Sequence, residues 1–192
     1  MDNVLFKKYL QSIVNDELLC DLLPEILSFF KPIHLDKNSF LVKEGSVCPY
    51  FCFIQHGILQ HSITIDAEEK TTYLGLKHSC TTALKSFLQQ QPSRKNIKAL
   101  SNCVLWSIEV VDFKYLLKHN KAFHLFYYNL IESQIFLIDD YRIDLLTLTP
   151  EERYKKLLFN EPELLQEVPL HYLASFLGIS TRHMSRIRKQ VY

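Results

Sequence analysis

The 192-residue sequence has few glycines and no long apolar run. It contains four glycines, seven prolines and no low-complexity segment, which argues against intrinsic disorder, collagen-like repeats and flexible tethers. No stretch of about 18 uncharged apolar residues occurs, and the N-terminal segment lacks the apolar core of a secretory signal. With 47% hydrophobic residues, the chain can still bury a sizeable core. We therefore expect a globular, cytoplasmic protein without a membrane-spanning helix.

Cysteine is also scarce, and its spacing fits neither a disulfide framework nor a metal site. The five cysteines are Cys20, Cys48, Cys52, Cys80 and Cys103. Their odd number and scatter favour reduced thiols, and Cys48 and Cys52 have no second Cys or His pair nearby to complete a zinc site. No Ser-His-Asp, Cys-His or paired-carboxylate arrangement stands out at motif spacing. We expect no metal, no cofactor and no enzyme activity.

Acidic residues are missing from the C-terminal segment. Residues 169–192 carry four basic residues and no acid, a net charge of +4, whereas residues 1–168 carry 18 basic and 21 acidic residues, a net charge of −3. A basic terminal segment is compatible with a solvated face, a membrane-surface patch or a nucleic-acid contact. Charge alone does not choose among these three.

The spacing of apolar residues changes along the chain. Residues 3–30 show helical spacing interrupted at Pro24, which predicts an N-terminal helix and a short second piece. Residues 33–109 show short apolar or alternating runs broken by turn residues, the pattern of a sandwich or jelly roll. Within them, Leu59, Ile63 and Ile65 share one parity and polar residues share the other. We therefore expect a strand there with one face in water.

A long helix is predicted next, because no proline or glycine occurs between Asp112 and Thr149. A stripe at alternating spacings of four and three runs along it: Phe123, Tyr127, Leu130, Gln134, Leu137 and Tyr141. This stripe fits either packing of the helix on its own β domain or pairing with a second chain. Further apolar surface comes from Phe126, Ile131, Ile138 and Leu145. That additional surface favours a homodimer, in which Gln134 would help to fix the register.

The C-terminal segment has the pattern of two short amphipathic helices joined by a glycine turn. A preceding helix opens at Thr149 and Pro150. The first helix of the pair has its apolar residues on one face: Leu170, Leu173, Ala174 and Leu177. Gly178 ends it, and Ser180 or Thr181 caps the second helix. The apolar face of that second helix is formed by Met184, Ile187 and Val191. This arrangement predicts a helix-turn-helix.

A polar row lies opposite that apolar face at 100° per residue. Its members are Arg182, Ser185, Arg186 and Lys189. Arginine can pair with guanine, serine can bond a base edge or phosphate, and lysine can neutralise phosphate. The alternative interpretation is an ordinary solvated basic helix. The turn, the packing face and the charge asymmetry agree, so we predict a DNA interface. The predicted contacts are Ser180, Thr181, Arg182, His183, Ser185, Arg186 and Lys189, with His183 at the edge.

The whole chain resembles the Crp/Fnr superfamily of bacterial transcription regulators. Its most specific blocks are 173–179 and 184–189, similar to the Bacteroidetes version, with weaker matches at 43–45, 92–94 and 152–154. The resemblance implies an α+β fold, with a jelly-roll-like, cyclic-nucleotide-binding-like β-roll, a long dimerisation helix and a small helix-turn-helix domain with a reduced wing. It implies an N-terminal sensor domain over residues 1–111, a dimerisation helix over 112–146 and a DNA-binding domain over 147–192.

The segment that corresponds to the family's phosphate cassette departs from the pattern. It lacks the Gly-Glu pair, and Ser93 stands at the position of the phosphate-binding arginine, with Arg94 beside it. We therefore expect that cyclic AMP is not the effector. The residues predicted to form an effector pocket are Lys77, Ser86, Ser93 and Arg94. Lys85 and Lys95 are further candidate cations, each with a solvated loop as its ordinary role. His56, His61 and His78 are expected to make surface hydrogen bonds rather than bind haem.

These observations predict a DNA-binding transcription regulator that acts as a homodimer on double-stranded DNA at an inverted repeat. The resemblance adds RNA polymerase and an unidentified small-molecule effector as candidate partners. We expect no membrane association. The alternative is a ligand-binding sensor that uses its helix-turn-helix to contact a protein. Failure to bind DNA at any salt concentration would favour that alternative.

Overall fold

The computed structural model describes residues 3–191, apart from the side chains of residues 163, 190 and 191. The strands are β1 Lys31–Leu35, β2 Phe40–Val42, β3 Tyr50–His56, β4 Leu59–Ile65, β5 Glu68–Gly75, β6 Cys80–Thr81, β7 Asn96–Ala99 and β8 Cys103–Glu109. They form two four-stranded antiparallel sheets, ordered β1-β8-β3-β6 and β2-β7-β4-β5. The predicted jelly-roll-like β-roll is confirmed.

Helices precede and follow the strands of this roll, and one short helix lies between β6 and β7. They are α1 Val4–Val14, α2 Leu23–Phe29, α3 Leu84–Gln89, α4 Val110–His119, α5 Lys121–Thr147, α6 Pro150–Asn160, α7 Pro162–Glu167, α8 Leu170–Phe176 and α9 Thr181–Val191, with a 3-10 helix at Glu17–Leu22. The α+β fold class is therefore confirmed. Among the described residues, none of these helices combines the length and hydrophobicity that crossing a membrane requires.

The face of β4 that was expected to contact water is covered over its first half. Gln60 and Ser62 are only 1% and 0% exposed. Helix α8 packs against the neighbouring strand β5, and a bulge lies between His61 and Ser62. The alternation expected along β4 is not seen in its burial, since Leu59 to Ser62 are all buried and Ile65 of the apolar parity is 49% exposed. A period of two identifies the faces of a strand, but it does not show which other elements cover them.

The long helix predicted to begin at Asp112 is two helices. The chain turns at Asn120, whose backbone is extended (φ −110°, ψ 112°). The Asn120 side chain accepts a hydrogen bond from the Phe123 backbone N–H at 2.9 Å, which caps α5. Its amide group also donates to the Leu22 carbonyl at 3.1 Å and to Glu25 at 2.7 Å. A capping asparagine therefore ends the first helix without a proline or glycine.

The core of the roll is rich in aromatic rings. Phe6 of α1 stacks on Phe53 of β3 at a centroid distance of 4.7 Å and meets Phe30 edge-on at the same distance. All three side chains are buried. Because α1 also contacts α5, the N-terminal helices join the start of α5 to the roll. This packing fixes where α5 leaves the roll.

Replacing Asn120 with alanine is expected to destabilise the fold by about 1–3 kcal/mol, since it removes a helix cap and two further hydrogen bonds of a buried side chain. Chemical denaturation measures this loss. Ser133→Ala is the control, because Ser133 is exposed and bonds only the Asn129 carbonyl within its own helix. Equal stability of the Asn120 and Ser133 variants would contradict this account of the helix break.

Candidate functional site

Helices α8 and α9 form the predicted helix-turn-helix. Gly178 stands between them at φ +70°, a backbone conformation that favours glycine. Its N–H donates to the Ser175 carbonyl at 3.1 Å, and the Ile179 N–H donates to the Ala174 carbonyl at 2.9 Å. These two bonds make a Schellman motif, which ends α8 and redirects the chain into α9.

Helix α9 packs through the apolar face that the spacing predicted. Ser180 caps it, accepting from the His183 N–H at 3.2 Å. Met184 and Ile187 are 0% and 1% exposed and belong to an apolar cluster with residues of α8. The predicted third member, Val191, has a side chain outside those that the structure describes. Two buried residues one turn apart still determine which side of α9 faces outward.

The polar row lies on the opposite side of α9. Arg182, Arg186 and Lys189 are exposed, and Ser180 and Thr181 are exposed at the start of the helix. Ser185 is half-buried, and its hydroxyl donates to the Thr181 carbonyl at 2.9 Å. The three long cations therefore project from one rigid helix.

His183 is turned away from this row. Its Nε2 lies 3.0 Å from a carboxylate oxygen of Glu151 on α6. A hydrogen bond from its own backbone N–H, together with the bond to His183, lowers the pKa of Glu151. Since Glu151 competes for the imidazole, His183 is the predicted contact least available to another molecule.

The C-terminal helices rest on the outer face of the β4–β5 sheet. Ser175 of α8 accepts a hydrogen bond from the Thr71 backbone N–H of β5 at 2.8 Å. The Tyr141 hydroxyl of α5 donates to the Phe176 carbonyl at 2.8 Å, and the two rings stack with centroids 5.4 Å apart. The helix-turn-helix is thus bonded to both the roll and α5.

A cavity of about 660 Å³ lies between the roll, α5 and the C-terminal helices. The roll contributes Phe51, His61, Tyr73, Thr81, Leu84 and Lys95. Helix α5 contributes Leu130, Gln134, Leu137, Ile138 and Tyr141. The C-terminal side contributes Arg153, Leu157, Glu161 and Phe176. Two domains and the helix that joins them therefore share one space.

The four residues predicted to form an effector pocket do not line this cavity. The Ser86 hydroxyl bonds the Gln91 carbonyl and the Cys48 N–H, and Ser93 bonds the Lys95 backbone. Lys77 pairs with Glu167 at 3.0 Å, and Arg94 is exposed. The two serine hydroxyls therefore bond groups of the chain itself.

His61 and Lys95 form the polar part of the cavity on the roll side. His61 is 3% exposed rather than on the surface as expected, and its Nε2 lies 2.7 Å from the Thr81 hydroxyl. Burial and the nearby positive charge of Lys95 keep the pKa of His61 well below its usual value. Burial also lowers the pKa of Lys95. The sequence identified Lys95 only as a candidate cation in a solvated loop and His61 only as a surface histidine, because the burial of both depends on distant elements.

The stripe predicted for dimerisation is divided by the fold. Phe123 and Leu130 are 0% and 6% exposed and pack in the chain's own core, whereas Leu137 is 59% exposed. Tyr127, Gln134 and Tyr141 are half-buried. Only the second half of the stripe is therefore available to another chain.

Among the described residues, no group of three or more His, Cys, Asp or Glu could hold a metal ion.

Ser175→Ala is expected to lower the free energy of unfolding by about 1–3 kcal/mol, because it leaves the Thr71 N–H without its hydrogen bond. Tyr141→Phe is expected to lower it by about 0.5–1.5 kcal/mol, because it removes the hydrogen bond to the Phe176 carbonyl. Denaturation and hydrogen exchange at the Thr71 amide measure the two effects. Thr147→Ala is the control, since Thr147 bonds only within α5. Unchanged exchange at Thr71 in Ser175→Ala would refute the contact between the domains.

Comparisons with known proteins address the family and the fold. Residues 32–120 match the family profile of the cyclic nucleotide-binding domain. A search of curated protein sequences found no significant match. Among solved structures, the chain is similar to the catabolite activator protein of Thermus thermophilus at 17% identity and a TM-score of 0.58, covering 93% of this chain and 86% of that one.

Two further solved structures show the same fold. The c-di-GMP responsive global regulator CLP of Xanthomonas campestris is 15% identical, with a TM-score of 0.66 over 89% of this chain and 90% of its own. FixK2 of Bradyrhizobium japonicum is 10% identical, with a TM-score of 0.72 over 84% of each chain. At these identities the likeness establishes the fold. Residues 32–120 therefore match the cyclic nucleotide-binding domain, and the chain has the fold of these solved structures.

Proposed function

We propose that the protein is a DNA-binding transcription regulator of the Crp/Fnr type that acts as a homodimer. The exposed cationic row of α9 carries this proposal. Arg182, Arg186 and Lys189 project from the second helix of a helix-turn-helix, opposite the residues that hold it on α8. A helix in this position can enter a major groove, where arginine pairs with guanine and lysine contacts phosphate.

The charge around α9 supports DNA rather than an arbitrary partner. Residues 169–192 carry no acid, and the nearby Glu151 is paired with His183. A phosphate backbone would therefore meet little repulsion along this face. Under this proposal the DNA-binding domain is residues 147–192 and the sensor domain residues 1–111, and the protein has no catalytic step and acts in the cytoplasm.

The second half of α5 supports a dimer. Ile135, Phe136, Leu137 and Ile138 are each 58–62% exposed, and Ile143, Leu145 and Leu146 extend the apolar surface. Exposed apolar residues in this number along one helix are typical of an interaction surface. A second copy of α5 would cover them and would set two α9 helices in successive major grooves.

Arg182→Ala and Arg186→Ala are each expected to weaken binding at a matched site by about 1–3 kcal/mol and to relax the base preference there. Lys189→Ala should weaken binding to all DNA sequences alike and reduce the salt dependence of the affinity, since it removes a phosphate contact. Random-site selection and salt-titrated binding measure both, and we expect an inverted repeat with half-sites roughly 34 Å apart.

Arg188→Ala is the matched control, because it removes the same charge from a residue beside the apolar face of α9. Its base preference should equal that of the wild type. An asymmetric preferred site, or equal losses for Arg186→Ala on specific and random DNA, would contradict base reading. No binding to DNA at any salt concentration would instead favour a helix-turn-helix that contacts a protein.

Phe136→Asp combined with Leu137→Asp is expected to convert a dimer to a monomer, because two charges would enter the apolar surface between the α5 helices. Sedimentation equilibrium at micromolar concentration measures the mass. Leu18→Asp is the control, since Leu18 is 91% exposed and lies on the 3-10 helix Glu17–Leu22, outside the exposed second half of α5. A wild-type monomer, or a dimer that survives the double substitution, would refute the α5 interface.

A further inference from the structure

The cavity between the roll, α5 and the C-terminal helices has the dimensions of a small-molecule site. Its volume of about 660 Å³ lies within the range of roughly 300–1,000 Å³ found for such sites. Three separate parts of the chain form its walls, and the space is partly open to solvent.

Most of the cavity wall is apolar. The apolar residues that line it include Leu130, Leu137 and Ile138 of α5, Leu84 of α3 and Leu157 of α6. A molecule that fills it must bury mainly carbon, because polar groups placed against these side chains would lose their bonds to water. The body of the occupant is therefore apolar.

One cation on the roll side has no acidic counterpart among the residues that the structure describes. Lys95 is half-buried, and no described carboxylate lies within 4.0 Å of its ammonium group. Its titratable neighbour on the roll side is His61, and burial, followed by the positive charge of Lys95, holds the pKa of that imidazole well below its usual value. His61 therefore offers Lys95 no negative charge. An anion at Lys95 would restore the stabilisation that the ammonium group loses when it leaves water.

The remaining charged residues of the cavity wall are equal in number for the two signs. The other lining residues that carry charge are Asp140, Arg142, Asp144, Arg153, Lys156 and Glu161. They comprise three cations and three acids on α5, α6 and the residue that follows α6, and Lys156 pairs with Asp144 at 2.6 Å. Lys95, on the opposite wall, therefore supplies the unbalanced positive charge.

A cyclic nucleotide fits this wall poorly. Its sugar and base would place many polar groups against leucine and isoleucine, and the serine hydroxyls of the cassette segment already bond the chain itself. We propose that the cavity binds an organic carboxylate with a large apolar body, its carboxylate at Lys95 and its body along α5. This site is independent of DNA binding, although the occupant would touch Tyr141 and Phe176, which couple α5 to the helix-turn-helix.

The test uses the full chain and two fluorescent probes of similar shape, 1-pyrenebutyrate and its neutral counterpart 1-pyrenebutanol. We expect pyrenebutyrate to bind the wild type, and Lys95→Met to weaken it about 10- to 100-fold, as expected for the loss of one charge-assisted bond. Pyrenebutanol should bind both proteins within about twofold, because Lys95→Met leaves the apolar wall unchanged.

Lys85→Met is the control for net charge, since Lys85 is exposed and does not line the cavity. Gln134→Trp, which fills the cavity from α5, should abolish binding of both probes, with thermal denaturation showing that the variants fold. Three results would each overturn the proposal. The first is equal binding of pyrenebutyrate to the wild type and to Lys95→Met, and the second is loss of that binding in Arg153→Gln but not in Lys95→Met. The third is displacement of the probe by micromolar cyclic AMP. None of these outcomes depends on DNA, so a failure here is distinct from a failure of the regulator proposal.

Discussion

The ring of Phe113 is the contact on which the rest of the structure depends. It is fully buried and meets Phe51, Phe87, Phe123 and Tyr127 at centroid distances of 5.1–5.3 Å. These rings belong to β3, α3, α4 and α5, so one side chain joins the roll to both halves of the connecting helix. Aromatic rings in such edge-on and tilted contacts bury a large area with defined geometry. The direction of α5, and with it one wall of the cavity, follows from this packing.

The second constraint is the contact between the C-terminal helices and the roll. Ile58, Leu74 and Leu100 of the roll share an apolar cluster with α6, α8 and α9, and the bond from the Thr71 N–H to Ser175 fixes the position of α8 on the strand. The packing face of α9 points into that cluster, so its cationic row points away from the protein. Stability of the domain contact and exposure of the row thus have the same cause.

Local features of this fold could be predicted because neighbouring residues determine them. The glycine turn at Gly178, the buried pair Met184 and Ile187 and the capping box at Thr149 all rest on contacts within a few residues. The break at Asn120 is also local, yet it escaped prediction. An asparagine caps a helix only where its own backbone leaves the helical conformation. At Asn120, the side chain is also bonded to the Leu22 carbonyl and the Glu25 carboxylate, which lie far away in sequence.

The sequence by itself determined the order of the elements, the apolar and polar faces of α9 and the unusual cassette segment. Only the tertiary structure decided what covers each face. Phe123 and Leu137 share one predicted stripe, but the first is buried by the roll and the second is 59% exposed. Lys95 was expected in a solvated loop and instead lines a cavity whose walls come from three distant parts of the chain. Periodicity identifies a face from the geometry of one element, whereas burial depends on which other elements pack against it.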